Sequence, residues 1–131
     1  MKKKGILNSQ LAAYIAALGH KDMFLIGDAG MPIPKGIPMV DLAVIGGVPT
    51  FKQVLDAVLE ETEVEFYYLA EEILENNPIL NQYISEKLNG LKFERMPHTQ
   101  FKEMTKQVKF AVRTGEFTPY PNIILTAGVA F

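Results

Sequence analysis

Between residues 23 and 128 short apolar runs alternate with longer segments of helical periodicity, and that alternation leaves few architectures open. "MFLIG" (23–27) is apolar throughout, as a strand buried in a parallel sheet must be. "VEFYYLA" (64–70) is rich in aromatic and β-favouring residues, and "VDLAVI" (40–45) and "LKFERM" (91–96) alternate like strands. "KFAVRT" (109–114) and "NIILTAG" (122–128) supply two final strands, separated by the polar turn "GEFTPYP". The intervening segments read as helices. From Asn8 onward Leu11, Tyr14, Ile15 and Leu18 recur at helical spacing. In "PTFKQVLDAVLEET" Phe51, Val54, Leu55, Val58 and Leu59 share one face. "NPILNQYISEKL" (77–88) carries Pro78 in its first turn, and "PHTQFKEMTKQ" (97–107) is a shorter helix. This order predicts an α/β fold: a single-domain, three-layer α/β/α sandwich around a mixed, largely parallel sheet. No repeat or linker divides the 131 residues, so one domain spans 1–131. Asn8 or Ser9 is expected to cap the first helix, with Gly19 as its left-handed stop.

Composition removes several functions. A net charge of −2 gives no electrostatic case for nucleic acid. The absence of cysteine excludes disulfides, thiolate catalysis and cysteine-based metal centres. "MKKKGIL" opens like a signal peptide, but Asn8, Ser9 and Gln10 interrupt its apolar run. No apolar stretch approaches the roughly 20 residues that cross a bilayer. A soluble cytoplasmic protein without membrane association is therefore expected. The chain ends on "ILTAGVAF", apolar to its last residue, where termini ordinarily fray in water. Together with the apolar second helix and final strand, this predicts burial in the core or against another subunit, and hence an oligomer.

The polar residues at the ends of these elements are the candidates for chemistry. His20, directly after Gly19, can meet the last carbonyls of the first helix, or it can exchange protons near neutral pH. Asp28 follows the "MFLIG" strand, where open α/β sheets place ligand contacts; an Asx turn opening the Gly/Pro loop accounts for it equally. "GDAG" lacks the spacing of a dinucleotide fingerprint, and Pro32 and Pro34 prevent a helix from receiving a phosphate there. His98 and Lys102 lie four apart on one helical face, a pattern also common at solvated helix ends. Two histidines without a third ligand make a poor metal site, and none is expected. In "RTGEFTPYPN" two prolines flank Tyr120, and a stiff loop presenting Tyr120 and Asn122 suits a polar ligand such as a sugar. A well-made β-connection with an incidental aromatic is the plainer account. As a set these groups contain no nucleophile, phosphate cradle or metal cage. They could serve proton transfer on a small uncharged polyol.

"GILNSQLAAYIAALGHKDMFLIGDAGMPIP", "AEEI", "MPHTQFK" and "RTGEFTPYPNIILTAGVAF" together resemble the D-ribose pyranase family, in order and over essentially the whole chain. The resemblance implies interconversion of the β-pyranose and β-furanose forms of D-ribose, without cofactor or metal. It implies His20 as proton donor, with Asp28, His98, Tyr120 and Asn122 holding the sugar; Lys102 also matches the family pattern. Pro121 departs from it, since a small residue such as alanine is more usual there, and proline removes a backbone N–H. Ring-like homo-oligomers, decamers of stacked pentamers among them, are a further implication. The related L-fucose mutarotases, a non-catalytic sugar-binding protein and a structural shell subunit are the rival readings.

One consequence follows from the strand itself. His20 precedes "MFLIG" and Asp28 follows it, so at about 3.3 Å per residue they stand on the order of 17 Å apart. A ribose is much smaller than that. A site using both is therefore expected at a subunit interface.

Overall fold

Strand β1 (Met23–Gly27) lies inside a six-stranded sheet of order β2-β5-β1-β6-β3-β4 in the computed structural model, which describes all 131 residues. The other strands are β2 (Met39–Asp41), β3 (Val64–Ala70), β4 (Lys92–Met96), β5 (Ala111–Arg113) and β6 (Ile123–Ala127). β1 pairs in parallel with β5, β5 with β2, and β3 with β4. β6 runs antiparallel between β1 and β3, so five strands share one direction and one opposes them. Flanking strands on both edges and packing on both faces account for the unbroken apolar run of β1.

Side chains alternate across the sheet and divide the core. Phe24 and Ile26 join the larger cluster, under α1 (Ser9–Ala16), α2 (Phe51–Leu59) and α4 (Pro78–Lys87). Leu25 joins a smaller cluster with Phe101 of α5 (His98–Met104) and with Met31 from the long loop after β1. The three-layer α/β/α sandwich is present, with a thin second helical layer. α2 buries Phe51, Val54, Leu55 and Val58, each contributing about 1.5–3 kcal/mol before ordering costs. Its start is a capping box: Thr50 Oγ1 accepts from the Gln53 N–H at 3.2 Å, and Gln53 Oε1 accepts from the Thr50 N–H at 2.9 Å. The apolar surface of α2 and β6 is thus covered within one chain, whereas Val129 and Phe131 stay exposed.

Several local expectations need correction. Asn8 does cap α1, its Oδ1 accepting from the Leu11 N–H at 2.9 Å, but Gly19 is not a left-handed stop. The helix ends at Ala17 in right-handed geometry, and Lys21 takes the positive φ of 73°. β2 ends at Asp41 because the rest of "VDLAVI" enters a tight turn, Val44 N–H donating to Val48 O at 3.0 Å. Alternation there reflected an exposed loop, not a strand. A short helix α3 (Ile73–Asn76), absent from the sequence reading, seats Ile73 in the core. Residues 105–107 form a 3-10 turn after α5. No helix is long and apolar enough to cross a membrane.

Candidate functional site

β1, β3, β4 and β5 all finish at the same rim of the sheet, and antiparallel β6 begins there. Topology therefore gathers residues distant in sequence. Asp28 leaves the end of β1, His98 follows β4 after Pro97, and Tyr120 and Asn122 precede β6.

Asp28 and Asn122 are interlocked. The Asp28 backbone N–H donates to Asn122 Oδ1 at 2.8 Å, and Asn122 Nδ2 donates back to Asp28 Oδ2 at 2.9 Å. Asp28 Oδ1 accepts from the Gly30 N–H at 2.8 Å, so the Asx turn forms as well; the two accounts of Asp28 are compatible. Gly27 gives Asn122 room at this point, since a Cβ would stand 3.0 Å from Asn122 Oδ1, tighter than an ordinary contact. Asn122 itself is only 1% exposed. It orients Asp28 from behind rather than projecting into solvent.

The His98 ring meets the Tyr120 ring edge-on, with centroids 5.2 Å apart. Burial, followed by the Lys102 ammonium, holds the imidazole below its ordinary pKa, against the opposing carboxylates of Glu72 and Asp28. His98 Nδ1 is buried without a partner. A lone pair is less costly there than a stranded N–H, so the proton of the neutral ring belongs on Nε2. Lys102 lies one turn further along α5, exposed, near enough to act on the ring by charge.

Tyr120 has a φ of 65°, a left-handed conformation uncommon for a side chain of its size. Pro121 follows it, and the Asn122 N–H closes back on the Tyr120 carbonyl at 2.8 Å. The loop is held from below by Asn77, whose Nδ2 donates to Thr118 Oγ1 at 2.9 Å and to the Pro119 carbonyl at 3.0 Å. Asn77 Oδ1 accepts from the Leu80 N–H and caps α4. Glu116 ties the same loop to α2, its Oε1 accepting from the Phe51 N–H at 3.0 Å. Gly115 is needed for close approach, because a Cβ there would lie 2.4 Å from the Val48 carbonyl oxygen. An open cleft of about 510 Å³ adjoins the cluster at Asp28, walled by the Asp28–Gly30 turn and by Glu116–Pro119. His98 and Tyr120 lie outside its walls.

His20 stands elsewhere. It sits before β1, at the opposite rim, with Nε2 3.0 Å from Glu65 Oε2 near the start of β3. Lys21 Nζ takes the other carboxylate oxygen. Those two hydrogen bonds, the Lys21 one first, hold the Glu65 carboxyl below its ordinary pKa. His20 therefore pairs with a strand residue instead of capping α1. The structure brings Asp28, His98, Tyr120 and Asn122 together and leaves His20 apart. No spacing in the sequence singles out Glu65, Glu72 or Asn77. Asn77 carries only the helix-capping signal of "NP", and its second role depends on a loop more than 40 residues away.

Fold and rim together define a single-domain α/β protein with a preformed carboxylate, amide, imidazole and phenol cluster at the carboxyl ends of its parallel strands. The model of the RbsD / FucU transport protein family matches residues 1–130, and the chain belongs to that family. The D-ribose pyranase of Geobacillus kaustophilus (strain HTA426) is 50% identical over 131 residues, covering 100% of this chain and 96% of the relative. That of Bacillus cereus (strain G9842) is also 50% identical, covering 100% of both. Among solved structures, Bacillus subtilis RbsD complexed with D-ribose superposes with a TM-score of 0.96 at 44% identity, covering 100% of both chains. The fucose mutarotase of Streptococcus pneumoniae, in complex with L-fucose, has a TM-score of 0.77 at 20% identity over 95% of both chains, a likeness of fold.

Proposed function

We propose that the chain is an isomerase interconverting the β-pyranose and β-furanose forms of D-ribose by acid–base ring opening and reclosure, with neither cofactor nor metal. The observation that carries this reading is the convergence of Asp28, His98, Tyr120 and Asn122 from three chain segments onto one rim. The 50% identity to D-ribose pyranases over the whole chain supports it. In this reading the Asp28 carboxylate accepts sugar hydroxyls, the His98 Nε2–H donates to one, and Tyr120 adds a flat apolar face and a hydroxyl. Asn122 holds Asp28 in place and has one amide N–H to spare.

Ring opening removes the proton of the anomeric hydroxyl as the C1–O5 bond breaks, and O5 gains a proton. The free aldehyde turns, and O4 closes on C1 with the reverse transfers. His20, as proton donor, delivers the proton at the ring oxygen. Such general acid–base help is worth about 10²–10⁴-fold.

His20 and Asp28 occupy opposite rims, so the working site takes His20 from a neighbouring copy. The assembly we propose is a decamer of stacked pentamers in the cytoplasm, with its sites at subunit interfaces. Exposed apolar groups flank both half-sites. Phe117 walls the cleft by Asp28, and the exposed Val44, Ile45 and Val48 belong to the turn whose Gly46 packs against the Phe117 ring. Val129 and Phe131 lie beyond β6, where the Gly128 N–H reaches the Glu63 carbonyl close to Glu65.

The experiment is NMR exchange spectroscopy on ribose ring forms, with the protein and with His20→Ala. Acceleration of pyranose–furanose exchange that disappears in the variant, with binding retained, is the expected result. Ribose binding without acceleration by the intact protein would favour a non-catalytic sugar-binding protein. Light scattering of the same samples gives the number of copies.

A further inference from the structure

Glu72, in the "AEEI" segment, has no part in the chemistry described above, yet it touches the sugar cluster at its most constrained point. Parallel β3 and β4 pair with Ala70 opposite Met96, and the Glu71 N–H extends the ladder to the Met96 carbonyl at 2.8 Å. Two residues beyond the pairing, Glu72 therefore stands opposite His98. His98 is the first residue of α5, and the helix has no capping side chain of its own, because Pro97 occupies that position. The free His98 N–H is shared between both carboxylate oxygens of Glu72, at 3.0 and 2.9 Å. A carboxylate at a helix start also meets the positive end of the helix dipole.

We propose that Glu72 is a positioning residue for His98, fixing its backbone at the sugar rim while placing a negative charge beside its ring. The proposal rests on His98 being a sugar contact. Four charged or titratable groups face that ring. Lys102 acts from α5, Asp28 from the end of β1, Glu72 from the end of β3, and Tyr120 presents its ring from the loop before β6. Of these side chains only that of Glu72 also bonds the His98 main chain, so it couples the position of the imidazole to its protonation. Burial favours the neutral ring, and the Glu72 charge works against burial.

The test uses the full-length protein and two variants, Glu72→Gln and Glu72→Ala. The chain has two histidines, so His20→Ala assigns both imidazole resonances by difference. Two quantities are read: the NMR titration midpoint of His98 without sugar, and the affinity for D-ribose at pH 7.5. The expected result is a His98 midpoint at lower pH in both variants, since each removes the charge. Ribose affinity falls about 10-fold in Glu72→Ala, as for loss of a hydrogen bond to a charged group. In Glu72→Gln, which keeps an acceptor oxygen, most of the affinity returns. A helix prop with no link to the ring would leave the midpoint where it was. An unmoved midpoint in Glu72→Gln, or a Glu72→Ala protein that folds and binds ribose as the parent does, would overturn the proposal. If the parent binds no ribose, the sugar reading fails, and the titration still decides whether Glu72 governs His98.

Discussion

The two rims of the sheet are built differently. At the carboxyl rim Asp28, Asn122, Glu72 and His98 are joined by hydrogen bonds in which main-chain N–H groups take part, and Asn122 is fully enclosed. At the amino rim His20 and Lys21 are joined to Glu65, and Lys109 to Asp22, by ion pairs between partly exposed side chains, and of these carboxylates only Asp22 also takes a main-chain N–H, from Gly19 at 2.7 Å. Exposed pairs of that kind hold geometry weakly, because salt and side-chain entropy work against them. In the proposed function one copy thus carries a preorganised binding half and a loosely held proton-transfer half. A fixed His20 requires that another surface cover the amino rim. The proposed assembly does so with the carboxyl rim of a neighbour.

The most severe way to break this comparison is to separate the halves genetically. His20→Ala and Asp28→Asn are each expected to inactivate every site in a pure assembly of the proposed kind, the histidine loss costing about 10²–10⁴-fold. If sites form between copies, unfolding and reassembling the two variants together restores activity. Random 1:1 mixing leaves about a quarter of the sites with both wild-type halves, since each site draws on two copies. Exchange rates of the mixture measured against each pure variant decide the matter. A mixture no faster than its components would place His20 and Asp28 in one copy and refute the interface.

Asn122→Ala attacks the preorganised half alone. It strands the partly buried Asp28 N–H and frees the carboxylate, at a cost of about 1–3 kcal/mol. Both a lower urea midpoint and weaker ribose binding are expected. Glu65→Gln, the matching change at the amino rim, is expected to leave ribose binding by that rim's distant partner unchanged. A ribose affinity equally sensitive to both would erase the distinction between the rims.

The same contrast explains what could be read from sequence. Each strand expected from local pattern is present, because apolar runs such as 23–27 and 64–70 report burial directly. "VDLAVI" misled because alternation also arises where Val44 and Ile45 lie exposed in a turn. Asp28, His98, Tyr120 and Asn122 were visible as polar groups at element ends and through the family likeness; spacing alone could not place them together. That depends on β6 being inserted antiparallel between β1 and β3, a property of long-range pairing. Glu72 was hidden for the same reason, since its meaning lies in the β3–β4 register. His20 was expected far from Asp28 on strand length alone, and it is found at the opposite rim.

Within the carboxyl rim, the Tyr120 loop can be loosened without substituting any of the proposed sugar contacts. Asn77→Ala removes both donors to residues 118 and 119 together with the cap of α4, for about 1–2 kcal/mol of stability. Tyr120 is held at a φ of 65°, a conformation costing about 1–2 kcal/mol for a non-glycine residue, and the clamp helps to keep it there. The expected kinetic signature is a raised KM with kcat nearly unchanged, since His20 is unaffected. A fall in kcat at constant KM would show that the loop contributes to proton transfer rather than to binding.

The smallest effect separates the rims by pH. His98 titrates below its ordinary value of 6.5 in the folded protein, so the unfolded chain binds its proton first on acidification. Stability therefore declines as pH falls from about 7 through 6.5, and this loss is complete once the folded-state pKa is passed. Asp22 and Glu65 at the amino rim are held below their ordinary values of 3.8 and 4.5, the first chiefly by Lys109 and the second chiefly by Lys21. Their contribution is intact above those values and is lost only as pH falls through the lower folded-state ones. Asp41, lowered by Arg113 at the outer edge of the carboxyl rim, titrates with them. Urea midpoints measured from pH 7.5 to 3 should accordingly fall in two stages. His98→Gln should flatten the first stage and spare the second, whereas raised salt should weaken the second far more than the first. A first stage that survives His98→Gln would remove burial of the imidazole as its cause. The near-neutral sensitivity would then belong to the exposed rim, reversing the assignment of which half of the site is rigid.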